Sequence, residues 1–126
     1  MPLNPQDTFV LLAPDGTATE LPGGEAFWSL PGPELERYGQ DWLVTEIAFA
    51  ADWPSWERHP AADEFAYLLA GSLELVLELP EGPRTVAIQG RGAVIIPKGV
   101  WHTAKVHTPS RMLFVTLGAG TETRPV

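Results

Sequence analysis

Short apolar runs separated by turn residues dominate the hydrophobic pattern of the chain. In residues 73–79, leucines alternate with Glu74, Val76 and Glu78, which predicts a strand with one buried face and one wetter face. The 13 prolines and 12 glycines fall between such runs, as is typical of strands joined by tight turns. The same reading predicts strands at 8–13, 42–50, 64–69, 73–79, 85–88, 93–96, 102–106 and 112–117. About eight strands without a long amphipathic helix favour an all-β sandwich or barrel.

Two segments lack this strand pattern. Residues 22–41 are less regular, although Pro33 near a helix start and Gly39 as a stop predict a short helix at 33–39. We interpret this segment as a connector rather than as a lid over a binding site. The tail at 118–126 is expected to be flexible or draped over the surface.

Four side chains with nitrogen or oxygen donors are candidate metal ligands. Strand alternation puts Glu57 and His59 on one face, and Pro60 favours a break directly after them. Glu64 then opens the next strand, and His102 follows a Pro-x-Gly turn at the start of another. The four candidates therefore reach one place from three extended segments in this prediction. A mixed imidazole and carboxylate set suits a divalent transition metal such as Mn, Fe, Ni or Zn.

The spacing of these residues resembles the two motifs of the cupin superfamily, in the variant found in germins. The first motif reads His-x-His, three or four residues, Glu, six residues and Gly, and here Glu57-x-His59 is followed by Glu64 and Gly71 at that spacing. The second motif, Pro-x-Gly, two residues and His, fits residues 97–102. The resemblance implies one cupin domain over residues 1–126, with motif 1 at about 56–71 and motif 2 at about 90–106. Its expected fold is a jelly-roll barrel, or double-stranded β-helix, with a short helical or irregular N-terminal segment.

One departure from the family pattern bears on the metal. Glu57 stands where the family has its first histidine, so the expected ligands, Glu57, His59, Glu64 and His102, comprise two histidines and two glutamates. The alternative is a metal-free barrel in which Glu57 pairs with Arg58 or Arg111 and the histidines only form hydrogen bonds.

Three other residues near the motifs are predicted to lie away from the lumen. By alternation, His107 falls on the face opposite His102, so we expect a surface or interface residue and not a ligand. Trp56 and Trp101 directly precede motif residues, and alternation also directs both indoles outward. We assign Phe65 and Tyr67 to packing in the same way.

The resemblance implies a metal-dependent enzyme, of dioxygenase, lyase or isomerase type, that acts on a small organic molecule in the barrel lumen. Two alternatives remain open at this stage: a small-molecule or metal-binding sensor without turnover, and a metal-free interaction module. The sequence identifies no catalytic residue and no organic cofactor.

Charge and hydropathy narrow the possible partners. Sixteen acidic residues against eight basic ones give a net charge of −8, which would repel nucleic acid. No apolar run approaches the ~20 residues that a membrane helix needs, and we detect no signal segment, so we expect a cytoplasmic protein. Single-domain cupins commonly pair, and an edge strand is best covered by its copy, so a homodimer is predicted.

Overall fold

Nine antiparallel strands and two short helices make up residues 2–126, the part of the chain that this computed structural model describes. In chain order they are β1 (Thr8–Leu12), β2 (Ala18–Pro22), α1 (Glu25–Trp28), α2 (Gly32–Tyr38), β3 (Trp42–Phe49), β4 (Ser55–Arg58), β5 (Glu64–Leu79), β6 (Gly82–Gln89), β7 (Gly92–Ile96), β8 (His102–Leu117) and β9 (Glu122–Pro125). One path of paired strands runs β2-β1-β3-β8-β4-β9, and β5 pairs with β6, β7 and β8. The protein is a jelly-roll β-barrel, which confirms the predicted fold class.

The two longest strands, β5 and β8, are continuous where the sequence predicted two strands each. The gap between the strands predicted at 64–69 and 73–79 implied a turn at Gly71, but this residue lies inside β5 at a bulge, with φ at 103°. A Cβ atom there would lie 2.3 Å from the Ser110 side-chain oxygen, so the close approach of β5 and β8 requires glycine. The turn prediction at Gly71 was wrong because glycine marks a bulge as readily as a turn.

The bulge in β5 determines which residues form the core. Before it, the even-numbered Ala66 and Leu68 are buried, and after it the odd-numbered Leu73, Leu75 and Leu77 are buried. The extra residue shifts the alternation, so apolar side chains on both sides of the bulge point into the barrel. Residues from β7 and β8 complete this core, among them Ile96, Ala104, Met112 and Phe114.

Both segments without a strand pattern are ordered elements. The helix predicted at 33–39 is confirmed as α2, which ends at Tyr38 with Gly39 as its C-cap. The tail is not flexible as one alternative predicted, because residues 122–125 form β9, which pairs with β4 in register from Ser55 to Arg58. Neither α1 nor α2 has the length and apolar character needed to cross a membrane.

Candidate metal centre

Strand pairing explains why three of the four candidate ligands lie together. Glu57 of β4 is directly opposite His102 of β8, so their side chains leave the sheet side by side on the same face. His59 lies two residues after Glu57 and therefore faces the same side. Its backbone carbonyl accepts a hydrogen bond from Gly99 N at 3.0 Å, which holds it near the turn that precedes His102.

The fourth candidate, Glu64, is the first residue of β5 and 3% exposed. The loop before it is tied to the second motif, because the Asp63 carboxylate accepts a hydrogen bond from Lys98 N at 2.8 Å. The hydroxyl of Thr116 on β8 donates to Glu64 Oε2 at 2.5 Å. In this position Oε1 of Glu64 faces His102, and Oε2 faces His59.

The four side chains surround one small space. Each imidazole Nε2 faces both carboxylates: His59 Nε2 lies 3.4 Å from Glu57 Oε1 and 3.3 Å from Glu64 Oε2. His102 Nε2 lies 3.6 Å from Glu57 Oε1 and 3.5 Å from Glu64 Oε1. One donor atom from each residue lies within 4.8 Å of the other three, so the group could hold one metal ion.

Three donor atoms of this group are buried without a hydrogen-bond partner: His59 Nε2, Glu64 Oε1 and His102 Nε2. Buried polar atoms are almost always hydrogen-bonded, and leaving one unpaired costs about 1–3 kcal/mol. Three such atoms that converge on one point form a donor set that a single metal ion could satisfy.

The other ring nitrogens fix the tautomers of both histidines. Nδ1 of His102 lies 3.0 Å from the carbonyl oxygen of Val100, which can only accept, so Nδ1 carries the proton. Nδ1 of His59 lies 2.8 Å from the hydroxyl of Thr121, and that hydroxyl already donates to Gly118 O at 2.7 Å. The Thr121 oxygen therefore accepts from His59. In the neutral form of each ring, the Nε2 lone pair points at the carboxylates, as a metal-binding histidine requires.

The electrostatics of the group couple its acids to its bases. Burial alone would raise the pKa of Glu57, but the charged rings of His102 and His59 face its carboxylate at 3.6 and 3.4 Å and outweigh burial, so the pKa falls to about 2. The pKa of Glu64 is lowered for the same reasons. Burial would lower the pKa of His59 and His102, but the two carboxylates outweigh it and raise these pKa values to about 10 and about 9. Without a metal, the group is two ion pairs at neutral pH.

The centre opens into a cavity of about 980 Å³ inside the barrel. Its walls are mainly apolar and aromatic, with Ile47, Phe49, Trp53 and Phe114 on the core side. Side chains of α1 and α2 line another part of it, including Phe27, Leu35 and Tyr38. The segment that we interpreted as a connector therefore also shapes the cavity.

The other sequence predictions near the motifs can now be compared with the structure. His107 has a 53% exposed side chain and lies 3.5 Å from Glu74, outside the metal-binding group. Trp56 and Trp101 lie on the outer face, where Arg124 stacks on both rings at 5.2 and 4.5 Å. The alternative partners of Glu57 are engaged elsewhere, since Arg58 pairs with Glu122 at 2.6 Å and Arg111 with Glu46 at 3.1 Å.

Three residues of the site were missed at the sequence level. Thr121 lies in the tail, Thr116 lies in a strand of the core, and Trp53 lies in the loop before β4. Trp53 is 9% exposed, its ring centroid lies 6.2 Å from that of His102, and its Nε1 is buried without a partner. Only Trp53 carried a signal, as an aromatic residue close to the first motif.

Comparison with known proteins agrees with this geometry. The family profile described as Cupin domain matches residues 44–117, which is more than half of the chain and includes all four candidate ligands. The chain therefore belongs to the cupin family. A search of curated protein sequences finds no match.

Solved structures share the fold at low sequence identity. A cupin-2 domain containing protein from Shewanella frigidimarina is 18% identical with a TM-score of 0.50, over 66% of this chain and 71% of that one. Hydroquinone 1,2-dioxygenase from Sphingomonas sp. TTNP3, with 4-hydroxybenzoate bound, is 17% identical with a TM-score of 0.50, over 59% and 57%. Oxalate decarboxylase from Bacillus subtilis, described for its Mn(II) centres, is 14% identical with a TM-score of 0.54, over 68% and 24%. The chain thus spans little more than half of the dioxygenase and a quarter of the decarboxylase.

Proposed function

We propose that this cupin is a metal-dependent enzyme that acts on a small organic molecule in the barrel lumen, by dioxygenase, lyase or isomerase chemistry. Glu57, His59, Glu64 and His102 hold one divalent transition metal, with Mn, Fe, Ni and Zn as the candidates. The observation that carries the proposal is the set of three buried, unpartnered donor atoms, His59 Nε2, Glu64 Oε1 and His102 Nε2, which face Glu57.

The donor set fits such an ion in spacing and in chemistry. Ligand atoms bound at about 2.0–2.2 Å to one ion lie about 3 Å apart when they are neighbours in its shell. The four nitrogen–oxygen distances of 3.3 to 3.6 Å need only a small contraction to reach that value. Two imidazoles and two carboxylates suit first-row metals, and the Mn(II) centres of the decarboxylase with a similar fold agree with this choice.

Each residue has a definable part in this function. His102 and Glu64 are buried at 0% and 3% exposure and anchor the ion from the core side. Glu57, with a 31% exposed side chain, and His59 line the cavity and face the substrate. Val100 and Thr121 orient the rings, and Thr116 orients Glu64. When bound, the metal supplies Lewis acidity and open positions for substrate oxygen atoms.

A binding protein without turnover is the second candidate, and one observation favours it. The other titratable side chains that line the cavity, Glu36, Tyr38 and Asp52, already have hydrogen-bond partners in the protein. Glu36 accepts from Gly120 N, Tyr38 from Arg37, and Asp52 from Val106 N. Among residues 2–126, each acid or base of the lumen outside the metal-binding group is therefore already engaged in at least one hydrogen bond.

Metal analysis of protein purified without chelator and without a nickel affinity step tests the proposal. We expect about one first-row metal per chain, and oxygen uptake or product formation against a compound panel then separates enzyme from binding protein. Metal content that stays far below one per chain after incubation with Mn(II), Fe(II), Ni(II) and Zn(II) would refute the metal centre.

The predicted homodimer stays a prediction. Large apolar side chains on the surface include Trp28, Trp42 and Ile95, at 48%, 38% and 57% exposure. Sedimentation velocity should show a species of twice the 13.7 kDa chain mass at micromolar concentration, and a monomer throughout that range would contradict the dimer.

A further inference from the structure

Basic side chains are missing from the cavity lining. Among residues 2–126, neither lysine nor arginine lines the cavity, while four carboxylates do: Glu36, Asp52, Glu57 and Glu64. The arginines near this region are paired on outer surfaces, Arg37 with Glu34 at 3.6 Å and Arg58 with Glu122 at 2.6 Å. A carboxylate or phosphate group of a ligand would find no lysine or arginine in this lining, and the His59 ring there already faces the carboxylates of Glu57 and Glu64.

Glu57 also removes the positive charge that a metal would otherwise present. A centre formed by a divalent ion, two carboxylates and two neutral imidazoles has no net charge. With three imidazoles and one carboxylate, the centre would keep one positive charge. Inside a cavity with mainly apolar walls, one unit of charge at contact distance strongly changes the attraction for an anion. The centre itself therefore gives an anionic ligand little compensation for its lost hydration.

The walls provide a suitable surface for an apolar ring. Phe49, Trp53 and Phe114 form one aromatic wall, with ring centroids 5.3 to 6.3 Å apart. The cavity volume of about 980 Å³ is within the range of sites for small organic molecules. Trp53 also contributes a buried N–H group that has no acceptor in the protein. An uncharged oxygen atom of a ligand would satisfy that donor at low desolvation cost.

We propose that the lumen binds an uncharged, largely apolar molecule with at least one oxygen acceptor, such as an amide or a ketone, and discriminates against carboxylates and phosphates. This inference rests on the proposed function, because it describes the substrate class of the same site. The acidic lining and the neutral centre supply the discrimination, and the aromatic wall supplies the affinity.

Two probes of the same shape test the charge preference. Benzamide and benzoate share a ring and differ in charge at neutral pH, and both can be titrated into metal-loaded protein by calorimetry. We expect benzamide to bind at least about tenfold more tightly than benzoate. Equal affinities, tighter binding of benzoate, or no binding of benzamide at millimolar concentration would each overturn the inference.

A variant outside the metal-binding group provides the matched comparison. Leu35 of α2 is half-buried and lines the cavity, so Leu35→Arg adds one positive charge to it, while Leu35→Gln adds polarity alone. We expect Leu35→Arg to shift the affinity ratio toward benzoate by about fivefold or more, and Leu35→Gln to change it less than about twofold. A ratio that is the same in both variants would count against control by charge.

Metal content separates this inference from the proposed function. Loaded protein that prefers benzoate overturns the inference and leaves the metal centre intact. Protein that takes up no metal refutes the proposed function, and the same titrations on it still test the lumen, whose four carboxylates remain. Preference for benzamide in the metal-free protein then supports the inference, and preference for benzoate overturns it.

Discussion

The two faces of β4 both carry charged side chains, but the two sets differ in how completely they are paired and in how deeply their partners are buried. On the outer face, Arg58 pairs with Glu122 at 2.6 Å and lies 5.0 Å from the Trp101 ring centroid, and Arg124 pairs with Glu78 at 2.5 Å. On the inner face, Glu57 lies among histidine atoms that are buried and have no hydrogen-bond partner. The outer ion pairs are formed at the exposed surface, whereas the inner group contains buried donor atoms that lack a hydrogen-bond partner. Adjacent residues of one strand thus serve a candidate binding centre and surface packing. Their own exposure is similar, at 31% for Glu57 and 36% for Arg58, and the burial of their partners separates the two roles.

Removal of an inner ligand should have the largest effect. We expect His102→Ala to lower metal affinity by roughly a hundredfold or more. The substitution removes a ligand outright, and loss of an outer-shell partner alone typically costs roughly 10–100-fold. Glu57→Ala should weaken binding less, because water can replace a half-exposed carboxylate. Glu57→His should retain metal and shift preference toward softer, nitrogen-preferring ions.

Metal content and competition titrations measure these effects. If Glu57→Ala leaves the affinity unchanged while His102→Ala abolishes binding, Glu57 lies outside the coordination shell, and His59, Glu64 and His102 bind alone.

The pH dependence of the inner group should be nearly as large. In the metal-free protein the pKa values of His59 and His102 are raised to about 10 and about 9, so both rings carry protons at neutral pH that a metal must displace. Apparent metal affinity should therefore rise with pH toward 9, by up to roughly a hundredfold per unit when two protons leave. Calorimetry in buffers of different ionisation enthalpy counts the released protons, and a pH-independent affinity would contradict the two ion pairs.

The stability of the metal-free protein should follow the same groups. Raised histidine pKa values contribute stability that is complete below 6.5 and is lost as the pH rises through about 9 to 10. The lowered pKa of Glu57 contributes stability that is complete above 4.5 and is lost as the pH falls toward about 2. Urea midpoints measured across this pH range should show a plateau of stability between the two losses. Glu57→Gln should narrow that plateau.

An intermediate effect is expected from Thr121, which contacts His59 but is not itself a candidate ligand. Thr121→Val removes the oxygen that accepts from His59 Nδ1, so the ring loses its fixed tautomer and orientation. Metal affinity should fall roughly 10–100-fold, the range for such partners. Thr85→Val on β6 is the control, because the Thr85 side chain is exposed and β6 contributes no candidate ligand. Equal affinities of the two variants would show that Thr121 has no positioning role.

The smallest effect belongs to the outer face. Arg58→Gln breaks an ion pair whose side chains are 36% and 51% exposed, which is worth about 0–1 kcal/mol in the free energy of unfolding. Metal content should not change. A loss of metal from Arg58→Gln would show that the two faces of β4 are coupled after all.

The motif spacing predicted the barrel and the meeting of four side chains, since strand alternation and turn chemistry are local properties. The motif spacing could not predict contacts between segments that are distant in the chain. Nothing in residues 118–126 indicates that Thr121 approaches His59, because that approach depends on the pairing of β9 with β4. The bulge at Gly71 was missed for a similar reason, since only the nearness of Ser110 distinguishes it from a turn.

The pairing of β9 with β4 has a consequence for biosynthesis. The hydroxyl that holds His59 belongs to a residue translated 62 positions later, so the ring has no fixed orientation while the intervening chain is being made. Strands β5 to β8 can begin to pair before then, but the ion-binding geometry is complete only after residue 121 has left the ribosome. A metal bound at the proposed centre would therefore be acquired late, by a barrel that is almost fully folded, and the ion available in the compartment at that moment would determine which metal binds.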